Sequence, residues 1–232
     1  MIYTPIAGLP PLPPSLDPLG GSTASRTTLQ GRVGHMSRDG GLSINTVGLG
    51  VELPVQRWQL GGTFAYLSTS CGAEWDGDSD CSSDIMLGAS ARRTLTSKPL
   101  GKRPTKARRA KQSNDGTLVV GFEGSAGFAP HQGEQAMAGA VGLPTGIALQ
   151  TGDVRIMPFV TPGLGYGRMG HTEYDDEARS YGAFSFLVGG GLTLRFDRSG
   201  VGASLGFQKV LQGQGSATQL GISMSWQGLT SR

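Results

Sequence analysis

Apolar side chains recur at every second position along most of this chain. In Ser180–Phe196, Phe184, Phe186, Val188, Leu192 and Leu194 share one face with Phe196. Ser185, Leu187, Gly189, Gly191, Thr193 and Arg195 share the other. A two-residue period is that of a β-strand, whose successive side chains point to opposite faces. The same alternation, punctuated by turn residues, predicts ten strands. They cover Thr27–Ser37, Leu42–Val55, Trp58–Thr69, Asp84–Thr96, Thr117–Ala129, Gln135–Gln150, Val154–Met169, Ser180–Phe196, Val201–Leu211 and Ser216–Gln227. Pro144 interrupts the sixth, and a bulge or bend is required there.

The two faces differ in kind. One is broadly apolar, with aromatic residues toward its ends. The other is mostly Gly, Ser, Ala, Thr and Gln, with single charges on several strands: Arg32, Glu52, Arg92, Glu123, Arg155 and Arg195. A water-soluble sandwich places its apolar face inward and covers the opposite face with well-solvated residues. Small polar residues with sparse charges instead suit a crowded interior, and a wide apolar face suits lipid. The pattern therefore predicts an all-β, ten-stranded, antiparallel, up-and-down transmembrane barrel, with eight strands as the alternative count. The six charges would line its lumen. Each strand is long enough to span a bilayer, for which about 9–11 residues suffice.

Composition sharpens this picture. Glycine supplies 39 of 232 residues, which argues against helices, where each interior glycine costs about 1 kcal/mol relative to alanine. Residues 1–25, rich in Pro, Gly and Ser, read as a flexible tail, and 26–232 as the barrel. The opening residues lack a basic segment followed by an apolar core, so they do not read as a signal peptide; the alternatives are a cytosolic protein and a mature or recloned form, and the two cysteines favour the second. Cys71 and Cys81 flank a short polar loop, as a disulfide formed in an oxidising compartment would; two free thiols are the alternative.

Charge is unevenly distributed. Seven basic residues, Lys98, Lys102, Arg103, Lys106, Arg108, Arg109 and Lys111, fall between Thr96 and Ser113 without an acid; the remaining 13 basic and 17 acidic residues carry a net −4. No aromatics interleave the basic cluster, which argues against nucleic acid. Its expected partners are anionic lipid head groups, lipopolysaccharide phosphates, the cell wall or another acidic surface. The connections after the second, sixth and eighth strands are short, and those after the third and seventh are long. Counting strands puts the basic loop on the short-turn side, together with both termini.

The stretches "PFVTPGLGYGRMG" and "FSFLVGGGLTLRF", and a last strand "TQLGISMSW" ending in an aromatic, resemble the small outer-membrane β-barrel proteins of Gram-negative bacteria. In that family the terminal aromatic belongs to the signal read by the barrel-assembly machinery. Here it is Trp226, with six residues after it. The resemblance implies a bacterial outer-membrane location and a monomer embedded in the bilayer, and no particular activity.

Several patterns bear on chemistry. Asp76, Asp78, Asp80 and Asp84 are spaced as Ca²⁺ ligands are, but Cys81 stands where an EF-hand needs glycine, so a solvated acidic loop is expected. His35, His131 and His171 fall near strand ends on the long-loop side, and "HTEYDDE" adds Glu173, Asp175, Asp176 and Glu177. A water activated between Asp76 or Asp78 and His171 would resemble omptin chemistry, and a His/Ser pair at the rim would resemble a lipid A deacylase. The glycine-rich runs open no helix and offer no phosphate site. The expectation is a non-enzymatic barrel without cofactor or metal, serving structure, surface interaction or passage of small solutes. A rim hydrolase and a soluble lipocalin-like binding barrel are the alternatives.

Overall fold

A computed structural model describes residues 27–38, 43–70, 83–100, 116–131, 134–171, 180–212 and 215–227. They form strands β1 (Thr28–Arg38), β2 (Ser43–Val55), β3 (Trp58–Ser70), β4 (Ser83–Pro99), β5 (Thr117–His131), β6 (Glu134–Gly142), β7 (Thr145–Thr151), β8 (Val154–His171), β9 (Ser180–Phe196), β10 (Val201–Gln212) and β11 (Gly215–Gln227). Each strand pairs antiparallel with its neighbours. β6 and β7 both lie between β5 and β8 and together make one stave, so eleven strands give ten staves. The cylinder closes where β1 meets β11, from Thr28 opposite Gln227 to Arg38 opposite Ala217.

The break in the sixth stave falls at Leu143–Pro144. Proline cannot donate to a ladder, and the stave bends at that point. Its neighbours hold it through Gly121 N–H to Pro144 O (2.8 Å) and Leu143 N–H to Pro162 O (3.0 Å). β4 runs longer than its alternation suggests, to Pro99, because β5 continues to pair with it beyond a bulge between Thr94 and Thr96. Lys98, expected in the basic loop, therefore lies on this strand extension, opposite Leu118. The two-residue turn Gly152–Asp153 uses glycine at φ +60°, and Gly200 closes the β9–β10 turn at φ +68°, backbone angles that other residues adopt only with strain.

One end of the barrel carries the turns 56–57, 152–153 and 197–200, the ends of β1 and β11 nearest the termini, and the connection 101–115 that contains most of the basic cluster. The other end carries the segments 71–82 and 172–179. We call these the turn end and the loop end.

Facing follows the alternation. Val47, Leu49, Phe64, Leu87, Val160, Leu164, Phe186, Leu205, Ile222 and Met224 point outward and are exposed. Gln30, Glu52, Thr63, Arg92, Thr193 and Ser223 point inward and are buried. The exposed face is a continuous apolar belt. Toward the loop end it carries Tyr166 packed on Phe184, with centroids 4.8 Å apart. Toward the turn end Trp58 stacks edge-on with Phe122 at 6.2 Å, beneath the Arg93 guanidinium. Water would not tolerate so large an unbroken apolar surface on a monomer, and hydrocarbon admits only closed barrels or helices. The protein is a transmembrane β-barrel.

Adjacent residues of β8 give a direct test. Val160 faces lipid and Thr161 faces the lumen. Val160→Lys is expected to cost about 2–4 kcal/mol, the value for a cation near the bilayer midplane. Thr161→Lys should cost clearly less, since its amine stays in the polar lumen, where Thr161 and Glu123 line the same pocket. Urea titration of the barrel in lipid vesicles measures both.

Candidate functional site in the barrel lumen

The inward residues form layers. At the loop end the lumen is apolar: Met36, Ile44, Leu67, Met86, Val210 and Leu187 pack together with small alanines beneath the mouth. This layer corrects the expectation of a polar inner face along the whole barrel. Its members fall in the inward register of their strands, most of them within a few residues of the loop-end termini. Leu187, the one large apolar residue in the polar row of Ser180–Phe196, was the visible trace of it.

Four of the six predicted lumen charges meet deeper in. Arg92 and Glu52 form a buried ion pair. Glu123 lies opposite Arg92 across the β4–β5 ladder. Arg32 approaches the same group and donates to Gln30 Oε1 at 3.0 Å. Glycines make room for these long side chains: a Cβ at Gly50 would lie 3.1 Å from the Arg32 guanidinium. Serine and threonine hydroxyls complete the layer, among them Ser204 and Ser223, hydrogen-bonded at 2.8 Å.

Arg155 and Arg195 do not join that group. They face each other across β8–β9 near the turn end, and Asp197 bridges them. Its carboxylate lies 3.4 Å from Arg155 and 3.5 Å from Arg195, and Gln150 donates to it at 3.2 Å. Arg195 also donates to Gln227. Nothing in the sequence marks Asp197, because a β-turn sequence gives no sign of which way a side chain folds back. Between the two charged groups, Met157 and Val119 form a second small apolar layer.

The rim residues whose pattern suggests catalysis are not assembled into a site by the described part of the chain. Cys71, Cys81, Asp76, Asp78, Asp80 and Glu173 to Glu177 lie outside the described residues, as do Lys102, Arg103, Lys106, Arg108, Arg109 and Lys111. His171 and His131 end β8 and β5 at the loop end. His35 faces outward and hydrogen-bonds Asn45 at 2.8 Å. Among the described residues no three His, Cys, Asp or Glu side chains are grouped to hold a metal ion.

A small, half-open side pocket of about 60 Å³ lies in the polar layer between β5, β6, β8, β9 and β10. Glu123, Ser125, Thr161 and Gln208 form part of its lining, together with Phe159 and Leu187.

An even-stranded antiparallel barrel with an apolar belt, aromatic residues toward both borders and a polar lumen is the design of small bacterial outer-membrane proteins. This chain has that design and belongs in that membrane. No protein-family model and no curated protein matches its sequence. Solved structures similar to it include the beta domain of the Bordetella autotransporter BrkA, 11% identical over 88% of this chain and 99% of that one, with a TM-score of 0.44. They also include the outer membrane protease OmpT from Escherichia coli, 7% identical over 89% and 98%, with a TM-score of 0.41. A third is Ail, the attachment invasion locus protein of Yersinia pestis, 8% identical over 88% and 97%, with a TM-score of 0.35.

The ion pair sets an expectation for stability. Arg92→Met strands Glu52 in the lumen and should cost about 3–5 kcal/mol, as removing one partner of a buried pair does. Adding Glu52→Gln should recover a substantial part of it. Equilibrium unfolding of the two variants in lipid vesicles checks this.

Proposed function

We propose that this protein is a closed, non-enzymatic outer-membrane barrel that acts through its loops and its surface and does not conduct solutes. The observation that supports this reading is the filling of the lumen. A solute entering from the loop end meets the Met36–Leu67–Met86 layer, then the Glu52–Arg92 pair, then Met157 and Val119, then the Arg155–Asp197–Arg195 bridge. Each layer is apolar or holds an ion pair, and a ten-stranded cylinder leaves little width to pass beside them.

Interaction then falls to the two ends. The loop-end segments 71–82 and 172–179 are acid-rich, and they face outward if the termini are periplasmic, as in barrels of this type. The basic connection at the turn end faces the periplasm in that orientation, where it meets anionic polymer such as the cell wall. Clustered lysines and arginines gain on the order of 1 kcal/mol each near an anionic surface. In the oxidising envelope we assign Cys71 and Cys81 to a disulfide that tethers the first of the long loops. The barrel acts as a monomer in this reading.

Two measurements test it. Vesicles containing the protein should swell no faster than empty vesicles in isotonic glycine or a small sugar; porin-like swelling would overturn the closed reading. Trypsin added to intact cells should leave Thr96–Gly116 uncut and should cut it once the outer membrane is permeabilised. Cutting in intact cells would reverse the orientation.

A further inference from the structure

The outward rows do not all reach the turn end in the same way. Leu29, Val55, Phe196 and Trp226 close four of them there with exposed apolar side chains. The outward row of β4 instead closes on cations. Arg93 lies opposite Phe122 and Lys98 opposite Leu118; both face outward, since Arg92 and Val119, the chain neighbours of Arg93 and Leu118, are buried in the lumen. Arg57 sits in the turn between β2 and β3, just before Trp58, and is exposed, as is Lys98. The Arg93 guanidinium stands 5.9 Å from the centre of the Trp58 ring. A cation–π contact of this kind orients the group but brings no anion to it. Among the described residues, none of these three cations is paired with a carboxylate, whereas Arg198, at another turn of the same end, holds Asp153 at 2.7 Å.

Beside these cations the lipid face is hollow. Gly62, Ala89, Ala126 and Gly139 pair in one outward row across β3, β4, β5 and β6. In the next row toward the turn end Ala91 pairs with Gly124. A Cβ on Gly62 would meet nothing within 4 Å. Larger side chains wall the hollow on both sides: Phe64, Leu87 and Phe128 toward the loop end, Trp58 and Phe122 beside Arg93 toward the turn end. Paired rows climb the barrel wall. The row through Glu52, near the turn end of β2, passes Ser125 and reaches Ser185, near the loop end of β9. The hollow climbs in the same sense, from the turn-end border at β3 into the belt at β6.

We propose that Arg57, Arg93 and Lys98 bind the phosphate of an anionic phospholipid in the leaflet at the turn end, and that one acyl chain of this lipid lies in the Gly62–Gly139 hollow. Charge complementarity names the head group. Tryptophan marks the border between hydrocarbon and water, and at that border an outward cation meets the phosphates of the lipid. Arginine donates to a phosphate through a planar fork, and lysine reaches one on a flexible stem. A zwitterionic lipid brings its own cation beside the phosphate and answers the cluster less well. The small residues supply a bed for the chain and no selectivity of their own. In the orientation proposed above the turn end meets the inner leaflet, and the choice of a phospholipid rests on that orientation.

The test uses the full chain in phosphatidylcholine vesicles doped with one of two probes, phosphatidylglycerol or phosphatidylcholine, each carrying a diazirine on an acyl chain. Phosphatidylglycerol should label peptides containing Phe64 and Phe128 several-fold more than phosphatidylcholine does, and the two should label Leu205 and Ile222, elsewhere on the belt, equally. Arg93→Gln with Lys98→Gln should remove the preference. Lys209→Gln, which removes an exposed cation from the loop-end half of β10, should leave it unchanged. Arg57→Gln, in an exposed turn, should weaken it and serves if the double variant does not fold; the shift in gel mobility on heating reports folding in each case. Equal labelling by the two probes at Phe64 and Phe128 would overturn the site and leave its cations to a soluble anion. The same preference at Leu205 and Ile222, or a preference that survives loss of Arg93 and Lys98, would overturn it as well. The vesicles carry the same lipid in both leaflets, so this result does not depend on which way the chain inserts, and the trypsin digestion of intact cells reads the orientation separately.

Discussion

Hydrocarbon offers no partner to a backbone N–H or C=O, and the rest of this structure follows from that constraint. An open sheet would leave two unpaired edges in lipid, each group costing several kcal/mol. Pairing β1 with β11 removes both edges at once. Closure then forces the division of side chains: every strand has one face in lipid and one in a narrow tube. The outward face can be uniformly apolar because it has only to match the bilayer. The inward face must fill a cylinder, and it does so with layers of different chemistry.

Those layers explain how charged residues persist within the membrane. Arg92 and Glu52 neutralise each other at close range. Arg155 and Arg195, brought face to face by register, are reconciled by Asp197 from the following turn. An isolated charge at these depths would be costly; a paired one offsets part of that cost and ties together the strands that carry it. Glycine is the counterpart of this arrangement. It is frequent here because a large guanidinium on one strand needs an empty position on the next.

Much of this was legible in the sequence, because lipid-facing rows repeat with an unambiguous period. The alternation located the staves, the outward residues and the break at Pro144, and counting turns placed the basic connection at the turn end. The inward layers were legible only in part. Composition marks the lumen as small and polar, but alternation carries no information on how far along the axis a residue sits. Met36, Leu67 and Met86 come together only through the stagger between neighbouring strands, and so the apolar layer under the mouth was not foreseen. The same stagger separates Arg155 and Arg195 from Arg32, Glu52 and Arg92, although all five looked equivalent in the strand pattern. Asp197 carries no such mark, because the residues of a turn signal backbone conformation and not what their side chains reach.

The joint between β1 and β11 also has a temporal meaning. Thr28 and Gln227, which face each other there, stand at nearly opposite extremes of the chain. Every other ladder joins staves consecutive in the sequence and can form as a local hairpin, whereas this one waits for the last strand to be made. Contacts so distant in sequence are slow to form, since the entropy of closing a long loop must be met first. Until then the nascent sheet presents two bare edges and a wholly apolar face, the features that drive chains to aggregate. The geometry that makes the finished cylinder durable therefore leaves its open precursor prone to aggregate in water. It also makes the last strand the checkpoint at which a truncated chain betrays itself.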